Sequence, residues 1–104
     1  MKSASKPIRK LVREWCGVAY RRELGTELAK LHNHFHKWEA GTQNEFELID
    51  AIHEFHQGPA RDLYVSYEMG PRHGEELLLA ASIARGVIQK SEIPSELHDA
   101  LEPT

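Results

Sequence analysis

The chain of 104 residues holds a single cysteine, Cys16. No internal disulfide is possible, and a reducing compartment is the natural setting. Long apolar runs are also missing. The uncharged stretch from Leu77 to Ala84 is far too short to span a bilayer, so no membrane contact is expected. Residues 1–14 are interrupted by Lys2, Lys6, Arg9, Lys10 and Arg13. No signal peptide is read there, and a cytoplasmic location is the expectation. No segment alternates apolar and polar residues with period two, which argues against a sheet. A glycine-rich phosphate loop and a serine elbow are both lacking, and an enzyme is not expected.

What remains is the composition of one small globular domain, with 40% hydrophobic and 28% charged residues. The net charge of −3 conceals a polarity. Residues 1–38 carry nine Lys and Arg against three acids, whereas residues 39–104 carry four against thirteen. The two halves complement each other within one molecule or across a dimer. A basic patch of Lys6, Arg9, Lys10, Arg13, Arg21 and Arg22 is the alternative reading, as a weak contact for nucleic-acid phosphates.

The pattern predicts an all-α fold. A flexible tail over residues 1–6 precedes a long first helix from Pro7 to Ala40. An antiparallel second helix over about 43–57 forms a hairpin with it. Two shorter connections follow, then a central, buried fourth helix from Glu75 to Lys90. A short last helix is opened by Ser95. Gly41 suits the left-handed position beyond a helix end. Thr42 with Glu45, or Asn44 with Glu47, can form the capping box that opens the next helix. Gly58-Pro59 and Gly70-Pro71 each read as a stop followed by a start. The corner at Gly58 has the form of a helix-turn-helix, but Ala60 to Met69 offers only Arg61 beside Asp62 and Glu68, a poor recognition face.

Apolar residues on the first helix form two stripes: Ile8, Leu11, Trp15 and Val18, then Tyr20, Leu24, Leu28, Leu31, Phe35 and Trp38. At about 100° per residue the stripes point to nearly opposite sides. A straight helix therefore needs two partners, unless it kinks near Gly17. The segment from Pro7 to Tyr20 is expected to project, with Ile8, Leu11, Trp15 and Val18 as the interface of a homodimer or with another protein. The expected core is Leu28, Leu31, Phe35, Ile52, Phe55, Leu78 or Leu79, Ile83 and Val87.

Five of the seven histidines fall between Leu24 and His56. His32 and His36 share a helix face, and a hairpin turning near Thr42 brings His53 roughly opposite, with Asp50 three residues before it. Together His32, His36, His53 and Asp50 have the donor types of a tetrahedral zinc site. His53-Glu54-Phe55-His56 is one residue short of a zinc-protease motif. Asp50 with His53 is a lone approach to the Glu-x-x-His pairs of di-iron bundles. The favoured reading is a non-enzymatic, self-associating interaction module. A zinc-binding helical domain and a weak nucleic-acid binder are the alternatives.

Overall fold

The computed structural model describes residues 6–69 and 74–101, and over them the protein is all-α with no strand. Residues 1–5, most of the predicted tail, lie outside the described residues, as do Gly70-Pro71, Arg72-His73 and residues 102–104. Helix α1 spans Lys6–Glu39, about 51 Å at 1.5 Å per residue. It is one uninterrupted helix through Gly17 and Gly25. The other elements are α2 (Glu45–Phe55), a π-helical turn (His56–Ala60), α3 (Arg61–Glu68), α4 (Glu75–Ala84) and α5 (Ser95–Leu101), with a 3₁₀ turn at Lys90–Glu92. All of them pack along α1, giving a body of 56 × 26 × 20 Å. Its radius of gyration is 17.4 Å, against about 13 Å for a compact domain of this length.

The turn between α1 and α2 follows from its residues. Gly41 has φ +79°. Its N–H donates to the Trp38 carbonyl at 3.0 Å, and the Thr42 N–H donates to the Lys37 carbonyl at 2.9 Å. These are the paired bonds of a Schellman end. Asn44 and Glu47, rather than Thr42 and Glu45, form the capping box. Asn44 Oδ1 accepts from the Glu47 N–H at 2.8 Å, and Glu47 Oε1 accepts from the Asn44 N–H at 3.1 Å. Glu45 is thereby left to accept from Trp38 Nε1 at 3.0 Å.

Gly58-Pro59 does not end a helix. The backbone stays right-handed from Phe55 through Arg61, and Pro59 sits inside the π turn. Proline has no N–H to give, and the wider turn absorbs that loss. No helix-turn-helix corner exists here. The extra residue also corrects the phase. At about 100° per residue, an unbroken α-helix would carry Tyr67 about 100° away from the face of Leu48. With the π turn, Leu48, Leu63 and Tyr67 all reach towards α1, and Tyr67 stacks on Tyr20 with centroids 4.9 Å apart. Residues 45–68 thus run antiparallel along α1 as one bent rod.

The core lies elsewhere than the sequence suggests. Val12, Cys16 and Ala19 of α1 join Leu79, Ile88, Ile93 and Leu97 as the buried cluster. The α1 seam is made of small residues, so α4 and α5 approach closely. Ile8, Leu11, Trp15 and Val18 flank this seam, half-buried against the chain's own cluster. The N-terminal half of α1 therefore does not project, and those four residues are covered in large part from within. Helix α4 is shorter than predicted. Gly86 at φ +80° ends it, with its N–H on the Ile83 carbonyl and the Val87 N–H on the Ser82 carbonyl. Nor is α4 buried all round, because Leu79 is fully covered while Leu77 is 76% exposed.

Candidate functional site

Only Leu48 and Ala51 are buried on α2. Of the expected hairpin core, Leu31, Phe35, Ile52 and Phe55 are half-buried, and Leu28 is exposed. Two helices lying side by side cover only the seam between them, so the hairpin presents two flanks. They differ in chemistry.

One flank is a shallow groove of about 220 Å³. Leu31, Ala51 and Phe55 form its floor, with Glu27, Lys30 and Glu54 around them. Its polar groups are largely engaged. Lys30 Nζ pairs with Glu27 Oε1 at 3.0 Å, and His34 Nδ1 lies 3.2 Å from Gln43 Oε1.

The other flank is apolar and open. At about 100° per residue, Leu28 and Phe35 lie on the side of α1 away from Glu27 and His34. On the rod formed by α2 and α3, the same side carries Ile49, Ile52, Tyr64 and, at its outer edge, Phe46. Phe46 is 79% exposed, Tyr64 50%, Ile49 48% and Leu28 46%. Helices α4 and α5 do not reach this flank. They cover Val12 and Ala19, which lie about 160–180° around α1 from Leu28 by the same count. Large apolar side chains gathered on one unpaired face are the mark of an interaction surface.

By the same count His32, His53 and His56 fall on this flank and His36 lies further round α1; all four are exposed. The sequence correctly suggests that His32 and His36 meet, and their rings lie 4.4 Å apart, tilted by 50°. The predicted zinc site goes no further. Among the described residues no three of His, Cys, Asp and Glu are grouped to hold an ion. His53 and Asp50 do not complete a site with His32 and His36. Both rings of the pair stand in solvent on one helix, without the enclosing third donor that a structural zinc needs.

The basic residues divide in two. Arg22 is committed to structure: its guanidinium donates to both Glu92 carboxylate oxygens, at 2.7 and 3.0 Å, and to the Val87 carbonyl at 3.1 Å. Those bonds, together with the Gln89 N–H, hold the Glu92 carboxyl down at about 2. Arg21 stays exposed. Lys6, Arg9, Lys10 and Arg13 line an open groove of about 650 Å³ whose far wall bears Glu75 and Glu76.

The lone thiol is not set up as a nucleophile. Cys16 is buried, its Sγ donates to the Glu75 carbonyl at 3.2 Å, and burial with the nearby carboxylates of Glu75 and Glu76 pushes the thiol up to about 11. It is a packing residue. Tyr67 is likewise raised, first by burial and then by its bond to the Glu23 carboxylate.

The sequence carried a signal for the open flank that its amphipathic reading did not use. Ile49 and Phe46 lie about 100° and 160° around α2 from Leu48, wider than a single seam can cover. Comparison with protein-family models, with curated proteins and with solved structures finds no match to this chain.

Proposed function

We propose that this protein is a non-enzymatic helical interaction module that associates with a second copy of itself through the apolar flank of the hairpin. The observation that carries this reading is the open flank of Leu28, Phe35, Ile49, Ile52 and Tyr64, bordered by Phe46. A hairpin is a layer two helices wide and buries one seam. A second identical layer laid on the flank completes a four-helix bundle, the smallest arrangement in which both hairpins gain a shared core. One face serving both chains is what a two-fold dimer requires. A cytoplasmic setting suits the lone buried thiol. The interface expected at Ile8, Leu11, Trp15 and Val18 moves to the other half of α1.

Light scattering tests this directly. The chain at tens of micromolar is expected at twice its 11.9 kDa mass. Phe46→Glu and Ile49→Glu are expected to yield monomers of unchanged helicity, since both side chains are outside the chain's own seam. A wild-type monomer at that concentration overturns the reading.

A weaker second reading rests on Lys6, Arg9, Lys10 and Arg13. They recur at helical spacing and none of them forms an ion pair among the described residues. Their position at the start of α1 opposes the helix dipole, so a bound phosphate chain would relieve local repulsion. Retention on nucleic acid that weakens steeply with salt is the expected sign.

A further inference from the structure

We infer that the second copy lies antiparallel across the flank, α1 against α1, about a two-fold axis at the level of Lys30, with Arg21 of each copy facing Glu39 of the other. This orientation rests on the self-association proposed above and adds its register.

Two hairpin layers stacked on one flank admit two kinds of two-fold axis within the interface plane. An axis parallel to the helices sets like ends together. An axis perpendicular to them sets each end over the opposite end of the other copy. The charge distribution separates the two. Residues 6–22 carry six Lys and Arg against Glu14 alone, while residues 39–57 carry five acids and no Lys or Arg. These stretches stand at opposite ends of the hairpin, since α1 runs without a break from Lys6 to Glu39. A parallel axis would lay basic end on basic end and acidic turn on acidic turn. The perpendicular axis turns the basic end of each copy towards the acidic turn of the other, with Arg21 at the turn and Arg13 to Lys6 about 12–22 Å beyond Glu39. Long-range attraction then favours encounter in that orientation.

The helical phase supplies the register. Arg21 and Glu39 are eighteen residues apart, which is five turns at about 3.6 residues per turn, so they share one angular position. Both are exposed, and neither takes part in any of the three ion pairs among the described residues. An antiparallel α1 pair centred at Lys30 brings Arg21 to Glu39, Leu28 to His32 and Gly25 to Phe35. Each relation occurs twice by symmetry. The match at Gly25 is steric as well. Apart from the backbone of its own helix and its two chain neighbours, no atom lies within 4 Å of where its side chain would begin, so a ring from the second copy has space to enter there.

The test is a charge-reversal cycle read by sedimentation equilibrium at low salt. Arg21→Glu and Glu39→Arg are each expected to raise the dimer dissociation constant about tenfold, since two favourable pairs become two repulsive ones. The Arg21→Glu, Glu39→Arg double variant is expected to return within about threefold of wild type. That restoration supports the register. Rescue of Arg21→Glu by Glu68→Arg instead points to the axis parallel to the helices and overturns it. If neither single reversal changes a dimer that Phe46→Glu still dissociates, the register falls and the self-association stands. If the wild type is monomeric, both fall. Circular dichroism of each variant confirms that the fold is retained.

Discussion

Tyr20 and Tyr67 lie face to face, ring centroids 4.9 Å apart and planes 5° from parallel. The stack is where the hairpin meets the rest of the body. Beside it, Tyr67 Oη donates to Glu23 Oε2 at 2.7 Å, and Arg85, just past α4, donates to Glu23 Oε1 at 2.8 and 3.1 Å. One carboxylate thereby joins α1, α3 and α4. Removing it strands a half-buried hydroxyl as well as a guanidinium. Glu23→Ala is expected to cost about 2–3 kcal/mol, and Tyr67→Phe only about 1, because the phenylalanine keeps the stack and leaves no unpaired donor. Chemical denaturation of both variants decides. Equal losses would mean that the carboxylate does not act as a shared acceptor.

Burial differs between the α4 seam and the hairpin, and stability should follow it. Leu79 is fully covered, so Leu79→Ala is expected to cost about 2–5 kcal/mol. Leu28→Ala, measured on the monomeric Phe46→Glu background, should cost about 1 kcal/mol or less. A Leu28 loss as large as that at Leu79 would show the hairpin to be better packed than its exposure implies.

The acid limb of stability should carry the mark of Glu92. Its carboxyl is held at about 2, below an ordinary 4.5, by the Arg22 fork and the Gln89 N–H. A depressed folded value means the unfolded chain binds the proton more readily. The contribution is complete above about pH 4.5 and fades as pH falls towards 2. Glu92→Gln is therefore expected to be less stable than wild type at neutral pH, with the gap closing across that acid window. A gap that stays constant from pH 7 to pH 2 removes the ion pair as its cause.

The thiol offers a probe of the buried cluster. Cys16 is held neutral up to about 11, mainly by burial, and only the thiolate reacts. Alkylation at pH 8 is expected to be at least about a hundredfold slower in the folded chain than in denaturant, through thiolate fraction and access together. Labelling at the denatured rate would place Cys16 outside the seam.

How far the sequence discloses this fold varies with the range of the interaction. The turn at Gly41 is legible because its chemistry is local: a glycine, two capping side chains and their own backbone. Gly58-Pro59 uses the same alphabet and reads as the same punctuation. The continuous π turn goes with the stacking of Tyr67 on Tyr20, a contact between distant segments that no local residue announces. The α1 stripes show which side chains avoid water, but not which neighbours cover them. Val12, Cys16 and Ala19 form the buried seam because their small size lets α4 and α5 approach, a property of the pair of surfaces rather than of one helix. The histidines divide in the same way. Spacing along one helix brings His32 to His36, while adding His53 and Asp50 depended on the hairpin's rotation about its own seam.

Two kinds of glycine in this chain should respond to alanine with opposite signs. Gly86 ends α4 at φ +80°, in the left-handed region where a Cβ crowds the following carbonyl at about 1–2 kcal/mol. Gly86→Ala is expected to destabilise by about that amount. The loss should come from local backbone crowding alone, because no atom from beyond its chain neighbours lies within 4 Å of the new methyl group. Gly17 lies within α1 in ordinary helical backbone, and the space around its Cβ position is equally open. There alanine removes backbone freedom from the unfolded chain and improves helix propensity, so Gly17→Ala is expected to stabilise by about 0.5–1 kcal/mol. Both substitutions add the same methyl group to open space, so backbone conformation is the only variable between them. Thermal or urea unfolding of the two variants measures it. A stabilising Gly86→Ala would mean that α4 continues past Ala84 and that the Schellman end is absent.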